Sequence, residues 1–185
     1  MGRALAEAAI ALGHEVVIVT GPVEVDYPSA ARVVPVVSTE EMLAAASHVF
    51  DSCDGLIGAA APCDYRPVRV EDHKITKTGK PVDLHLVETE DVVATLGQRK
   101  GARWVVGFAL ETEDRRLRAL AKLERKHCDL VVSNGPEAIS SFENNVEVLA
   151  PDGTIVSTFA GSKETVAEGI LGIINSRLIG GGWGQ

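Results

Sequence analysis

Residues 54–77 read DGLIGAAAPCDYRPVRVEDHKITK, and the fold is decided here. The stretch opens as a short apolar strand and turns through Gly58, Ala59, Ala60 and Ala61, which leave almost no side-chain bulk at the strand's C-terminal end. A ligand can lie directly against such a backbone. In open α/β sheets that edge is where ligands bind. Beyond it come Asp64, then Lys74 and Lys77 on a segment of mixed charge without apolar periodicity, which reads as a flexible flap carrying cations over an anion.

Working outward, MGRALAEAAIAL is an amphipathic helix stopped by Gly13, and His14–Pro22 is a β-branched run expected as a buried parallel strand. RVVPVV (32–37) reads as an edge strand because of Pro35. Ser38, Thr39 and the following glutamates start a helix that leads into the strand at Asp54. After the flap, VDLHLV (82–87) alternates like a strand wet on one face or paired with a partner chain, and Thr89 is expected to cap a helix over 90–98. WVVGFAL (104–110) and DLVVS (129–133) are buried strands flanking a charged helix over 111–127. Asn145–Leu149 and Thr154–Phe159 form a hairpin about Asp152-Gly153, and Ser162 caps a last helix to about Leu178. Together these predict an α/β, Rossmann-like three-layer fold with a mostly parallel sheet, a C-terminal β-hairpin and a flap. One nucleotide-binding domain is expected over 1–178, with a disordered tail over 179–185.

A length of 185 residues suits one domain, and 45% hydrophobic residues with only 4% aromatic suit a core of Val, Ile, Leu and Ala. A net charge of -8 argues against a nucleic-acid binder, so local cations serve a small anion. Cys53, Cys63 and Cys128 share no metal-type spacing, and reduced thiols in or near the core are expected. Neither a signal peptide nor an apolar run of about 18 residues is visible, which leads to the expectation of a cytoplasmic protein without membrane contact. The first helix, in a doubly wound fold, is normally fed by an earlier strand and a glycine-bearing turn. Gly2 is expected to be the last glycine of such a turn, with the preceding segment missing from this sequence.

The strand ends at Thr20, Ala59, Phe108 and Asn134 all stop in small or polar residues and are expected to border one crevice. Cations that could face it are Lys74, Lys77, Lys122 and Lys126; the last two are spaced i, i+4 on one helix face, or are simply solvated there. Asp64 and Asp91 could hold Mg²⁺, hydrogen-bond a ligand or cap turns. The five histidines are scattered, with no triad or metal spacing.

In MGRALAEAA, VVIVTGP, GAAAPCDYRP, HKITKTG, LVETEDVVATLG, VVGFALET and AKLERKHCDLVVSN the chain resembles the bacterial phosphopantothenoylcysteine synthetases, the phosphopantothenate-cysteine ligases of coenzyme A biosynthesis. The resemblance implies that the carboxylate of 4'-phosphopantothenate attacks the α-phosphate of CTP, giving an acyl-cytidylate and pyrophosphate, and that cysteine then displaces CMP. It implies Mg²⁺, with no ligand assigned. It makes Gly58, Ala59 and Ala60 the backbone shelf for the nucleotide and Asp64 a contact to cytosine or ribose. Glu90, Asp91, Val92 and Val93 match the family's turn beside the nucleotide, Phe108 the aromatic beside the base, and Lys122 and Lys126 the lysines completing the site. Lys74 becomes the flap lysine for the phosphates and the catalytic candidate, while Gly2 matches the end of an Asn-x-Ser-Ser-Gly loop for the substrate phosphate. A homodimer and a fused or separate flavin-dependent decarboxylase are implied partners.

Three departures stand out. Ala-Pro-Cys-Asp-Tyr replaces the usual Ala-Val-Ala-Asp-Tyr, with Cys63 read as a packing residue; the flap has Lys-Ile-Thr-Lys where paired lysines are common; and the first strand with its loop is absent. Two other readings stay open: an NAD(P)-dependent Rossmann oxidoreductase, and a non-catalytic nucleotide-binding regulator. A thermal-shift titration separates the first of these from the ligase. CTP with Mg²⁺ is expected to stabilise the protein, by about 2.7 kcal/mol at a hundredfold excess over Kd, and NAD is expected to leave it unchanged.

Overall fold

The computed structural model describes residues 1–110, 124–134 and 144–180. Helix α1 (Gly2–Ala11) buries Ala4, Leu5, Ala6 and Ala8, and Gly13 follows with φ 86°, the left-handed conformation that ends a helix without a Cβ penalty. Strands β1 (Val17–Thr20) and β2 (Arg32–Pro35) pair in parallel. Helix α2 (Thr39–Phe50) starts at a capping box: Glu41 N donates to Ser38 Oγ at 3.1 Å, and the Glu41 carboxylate accepts from Val37 N at 2.7 Å and Ser38 N at 3.4 Å. Then come β3 (Gly55–Gly58), β4 (Tyr65–Pro67), β5 (Leu86–Glu88), α3 (Val92–Gln98) and β6 (Trp104–Leu110). The chain continues through β7 (Leu130–Asn134), β8 (Asn144–Leu149), β9 (Ile155–Gly161) and α4 (Lys163–Ile174), and ends in a π-helical turn over Asn175–Ile179.

The central sheet has the order β3-β6-β7-β8-β9. Its first three strands are parallel, and β8 is antiparallel to both neighbours, so β3, β6, β7 and β9 run one way and β8 the other. Side chains alternate between two cores, as a doubly covered sheet requires. Val106, Leu130, Val132, Val146 and Val148 face α1 and α4, whereas Val105, Ala109, Val131 and Leu149 face α2 and α3. The result is the expected Rossmann-like three-layer α/β architecture with its C-terminal hairpin. Asp152 holds that hairpin's turn by accepting from Thr154 N at 2.9 Å, and Gly153 sits at φ 81°.

Four local expectations change. Strand β1 is half-buried throughout rather than fully buried, because it pairs with β2 in a separate two-stranded sheet. The alternating stretch 82–87 yields only the three-residue β5, which pairs with β4; Val82 and Leu84, each 67% exposed, bury nothing and so fix no strand there. Helix α3 begins two residues later than expected, and Asp91 caps it instead of Thr89. The final helix turns π-helical after Ile174, through Ile179. Most of the helix expected over 111–127 lies outside the described residues, with residues 124–126 helical, and so do the Asn-Gly-Pro turn and most of the expected tail.

Leu96 is fully buried under α2 and β6, whereas Val70 is 81% exposed. Leu96→Ala is expected to cost about 2–5 kcal/mol in urea denaturation, and Val70→Ala to stay within about 0.5 kcal/mol of the parent.

Candidate functional site

At the C-terminal ends of β3 and β6 lies a cleft whose floor is made of small residues. Gly58, the last residue of β3, is the register partner of Gly107 in β6, so the two adjacent strands meet there without bulk. A methyl group on Gly58 would overlap the Val93 side chain, and one on Gly107 would sit 3.0 Å from Cys128 Sγ. These glycines bring α3 and the β7 approach close against the strand ends. Around the floor stand Ala60, Asp64, Glu90, Asp91, Val92, Val93, Phe108 and Lys126.

The rim is tied by Thr39 and Thr89, which the sequence marks only as residues at helix starts. Thr89 Oγ1 donates to the Cys63 carbonyl at 2.6 Å, and Thr39 Oγ1 reaches the same oxygen at 3.4 Å. Thr89 N also donates to Asp64 O at 2.9 Å. The turn 60–64 is thereby fixed to the start of α2 and the end of β5. Their signal was visible only as Ser-Thr and Glu-Thr-Glu punctuation beside helix starts. Cys63 does not pack as expected: its side chain is exposed and lines the cleft, since the bonds above use its carbonyl and leave the thiol facing out. Cys128 is the buried thiol, and burial pushes its pKa up to about 11.

The charged end of the cleft is built on Asp91. Its Oδ1 accepts from Ala94 N at 3.1 Å as the α3 N-cap, while Oδ2 meets Lys126 Nζ at 3.0 Å and Arg125 at 3.5 Å. Partial burial resists the charge of this carboxylate, but the Ala94 amide and the two cations outweigh it and hold the pKa below its usual value. Phe108 borders the cleft, but its side chain packs against the core beneath α1 and α4, on the face of the sheet away from α3. The arrangement offers a lysine beside a small-residue floor, which suits an anionic group lying close to the backbone.

Not every expected residue is here. Ala59 turns the other way, packing against the core under α1. Lys74 and Lys77 are exposed and stand outside the lining, on the segment between β4 and β5. Gly2 opens α1 with nothing within 4 Å of its missing side chain, also outside the lining. Lys122 falls outside the described residues. Of the four strand ends expected at one crevice, those of β3 and β6 border it; Thr20 bonds Tyr27 at 2.8 Å in the other sheet, and Asn134 is not in the lining. The described residues include no cluster of three or more metal-ligand side chains.

The profile of the DNA/pantothenate metabolism flavoprotein C-terminal domain matches residues 1–178, and the chain belongs to that family. It is 42% identical over 139 residues to the coenzyme A biosynthesis bifunctional protein CoaBC of Bacillus subtilis (strain 168), covering 75% of this chain and 34% of that protein. With the CoaBC of Mycobacterium bovis (strain ATCC BAA-935 / AF2122/97) the identity is 36% over 195 residues, covering 97% of this chain and 46% of the relative. The chain therefore spans between a third and a half of these relatives. Among solved structures, the C-terminal domain of a CoaBC superposes with a TM-score of 0.80 at 31% identity, over 97% of this chain and 83% of the other.

Because Asp91 both caps α3 and pairs with Lys126, Asp91→Ala is expected to cost about 1–2 kcal/mol in urea denaturation at pH 7. Its folded pKa lies below the unfolded value near 3.8, so this stability is present above 3.8 and lost as pH falls through the folded value. The gap between parent and variant is expected to narrow over that acidic range.

Proposed function

We propose that this member of the flavoprotein C-terminal domain family is a phosphopantothenate-cysteine ligase that uses CTP. The observation that carries the reading is the cleft at the ends of β3 and β6, lined by Gly58, Ala60, Asp64, Phe108 and Lys126 together with the turn Glu90–Val93. Likeness to the CoaBC relatives supplies the substrate class.

In the first step a carboxylate oxygen of 4'-phosphopantothenate forms a bond to the α-phosphorus of CTP, and the bond to pyrophosphate breaks. The α-amine of cysteine then attacks the acyl carbon, forming the amide; CMP leaves and the amine loses a proton. Little covalent work falls to the protein, so catalysis rests on positioning and on neutralising charge at the phosphates. Gly58 and Ala60 let the nucleotide lie on the backbone, Phe108 borders the base, Asp64 accepts from a base or ribose donor, and Lys126 offers its ammonium to the phosphates. Lys74, on the exposed segment beside the cleft, closes over the triphosphate. Mg²⁺ of this kind is bound mainly by substrate phosphates and water with one or two carboxylates, so Glu90 in the cleft lining fits as its protein-side neighbour. When bound it supplies charge neutralisation at the phosphates.

The working state is a homodimer in the cytoplasm, supplied with 4'-phosphopantothenate and cysteine and coupled to a flavin-dependent decarboxylase that takes the product. Support for the dimer comes from the arm around β4 and β5: Tyr65, Val68, Val70, Ile75, Leu84 and Leu86 are all large apolar residues more than half exposed.

Pyrophosphate release from CTP that depends on 4'-phosphopantothenate, followed by CMP release that depends on cysteine, tests the activity in the full-length protein. Lys74→Met is expected to lower turnover about 10²-fold while the protein stays folded. CTP binding without any pyrophosphate release in the parent protein would overturn the ligase reading in favour of a nucleotide-binding regulator.

A further inference from the structure

Lys126 is held at both ends by α3. Its backbone lies against Gly97, where any side chain would overlap the Lys126 carbonyl oxygen; a Cβ there would also stand 3.1 Å from the carbonyl carbon and 3.4 Å from His127 Cβ. Gly97 is buried in the last turn of α3, and Asp91 is the cap at the first. The Lys126 side chain is 19% exposed, and its Nζ meets Asp91 Oδ2 at 3.0 Å. Six residues of α-helix rise about 9 Å. The lysine therefore lies along the helix from the turn that carries Gly97 to the cap that borders the cleft.

The turn at the lysine's backbone is itself constrained. His127 takes φ 52°, an uncommon left-handed conformation for a residue with a side chain, and its amide donates to Glu124 O at 3.2 Å. Helix 124–126 thus ends abruptly, with the Lys126 carbonyl turned toward α3. Glycine in a helix interior costs stability relative to alanine, so Gly97 has to be explained by that close approach.

We infer that Gly97 and Asp91 are positioning residues for nucleotide binding: the glycine seats the backbone of Lys126 on α3, and the aspartate draws its ammonium to the cleft. This rests on the proposed role of Lys126 at the phosphates. Gly97 touches no ligand itself, so its effect runs through the lysine.

A double-mutant cycle read by calorimetric titration of CTP with Mg²⁺ tests this on the full-length protein. Lys126→Met is expected to weaken binding about tenfold, Gly97→Ala about fivefold or more, and the double variant to fall within about twofold of Lys126→Met alone. The binding stoichiometry reports the folded fraction, so partial unfolding is separated from a weakened site. Gly172→Ala, at a helical glycine with nothing within 4 Å, is the control and is expected to bind as the parent does. Gly97→Ala binding within about twofold of the parent, or losses that multiply in the double variant, would overturn the inference. If Gly97→Ala yields no folded protein, Asp91→Asn takes its place in the cycle, with the same non-additivity expected and multiplying losses overturning it. Unchanged CTP binding by Lys126→Met, or none by the parent, would instead remove the nucleotide reading and this inference with it.

Discussion

The double-sided parallel pairing of β6 is the constraint on which the remaining structure depends. Gly55 to Gly58 pair along one edge with Trp104 to Gly107, and Val106 to Leu110 pair along the other with Leu130 to Asn134. A strand paired on both edges and covered on both faces can carry no exposed side chain at its centre, and Val105 and Val106 are each 0% exposed, in opposite cores. Asp129 sets the start of this pairing. Its N donates to Val105 O and its Oδ2 accepts from Val105 N, both at 2.7 Å, while Oδ1 binds Lys100 at 2.5 Å. Both carboxylate oxygens of Asp129, a side chain only 11% exposed, thus have partners, as a buried polar group requires. Where β6 begins is thereby fixed, and with it the place of Gly107 and Phe108 on the cleft.

Close approach, more than side-chain reach, shapes the site. Gly58 admits Val93, Gly107 admits the Cys128 thiol, and Gly97 admits the Lys126 carbonyl. Each contact draws α3 or the turn before β7 toward the strand ends. A floor of this kind presents backbone to a ligand, and its walls are helices whose positions are set from below by packing. Leu96 and Val92, buried on the inner face of α3, transmit the position of the core to the residues on its outer end.

Elements that carry their own local chemistry were legible in the sequence. Gly13 after α1, the Ser38 and Glu41 box before α2, and the Asp152-Gly153 turn each satisfy backbone groups within a few residues, and each element starts or stops there. Trp104 to Leu110 matched its strand residue for residue because burial on both faces leaves an unbroken apolar run. Legibility failed where partners are distant. The alternation over 82–87 implied burial that Val82 and Leu84 do not have, and β4 is too short to show a period. Thr89 and Asp91 are equally good caps by composition; the presence of Lys126 and Arg125, more than thirty residues on, accompanies the choice of Asp91. For the site, the small-residue shelf and Phe108 could be read from their place after apolar runs. The Thr39 and Thr89 bonds to the Cys63 carbonyl could not, since they join segments that only the fold brings together.

The pairing of Asp91 with Lys126 bears on how a cleft can be stable empty and still bind an anion. An unpaired lysine 19% exposed would suffer desolvation with nothing to offset it, and a neighbouring carboxylate removes that cost. The same carboxylate then competes with any incoming phosphate for the ammonium. Competition is uneven, because Asp91 brings one negative charge and also owes a hydrogen bond to Ala94, whereas a triphosphate brings several charges and more acceptor oxygens. Arg125, 69% exposed and 3.5 Å from the same oxygen, can stay with Asp91 when the lysine shifts. The cap of α3 therefore survives the exchange, and the helix that positions the lysine is not destabilised by the lysine's use. A cleft arranged in this way keeps its cation preorganised without an anion, and releases it to a ligand of higher charge.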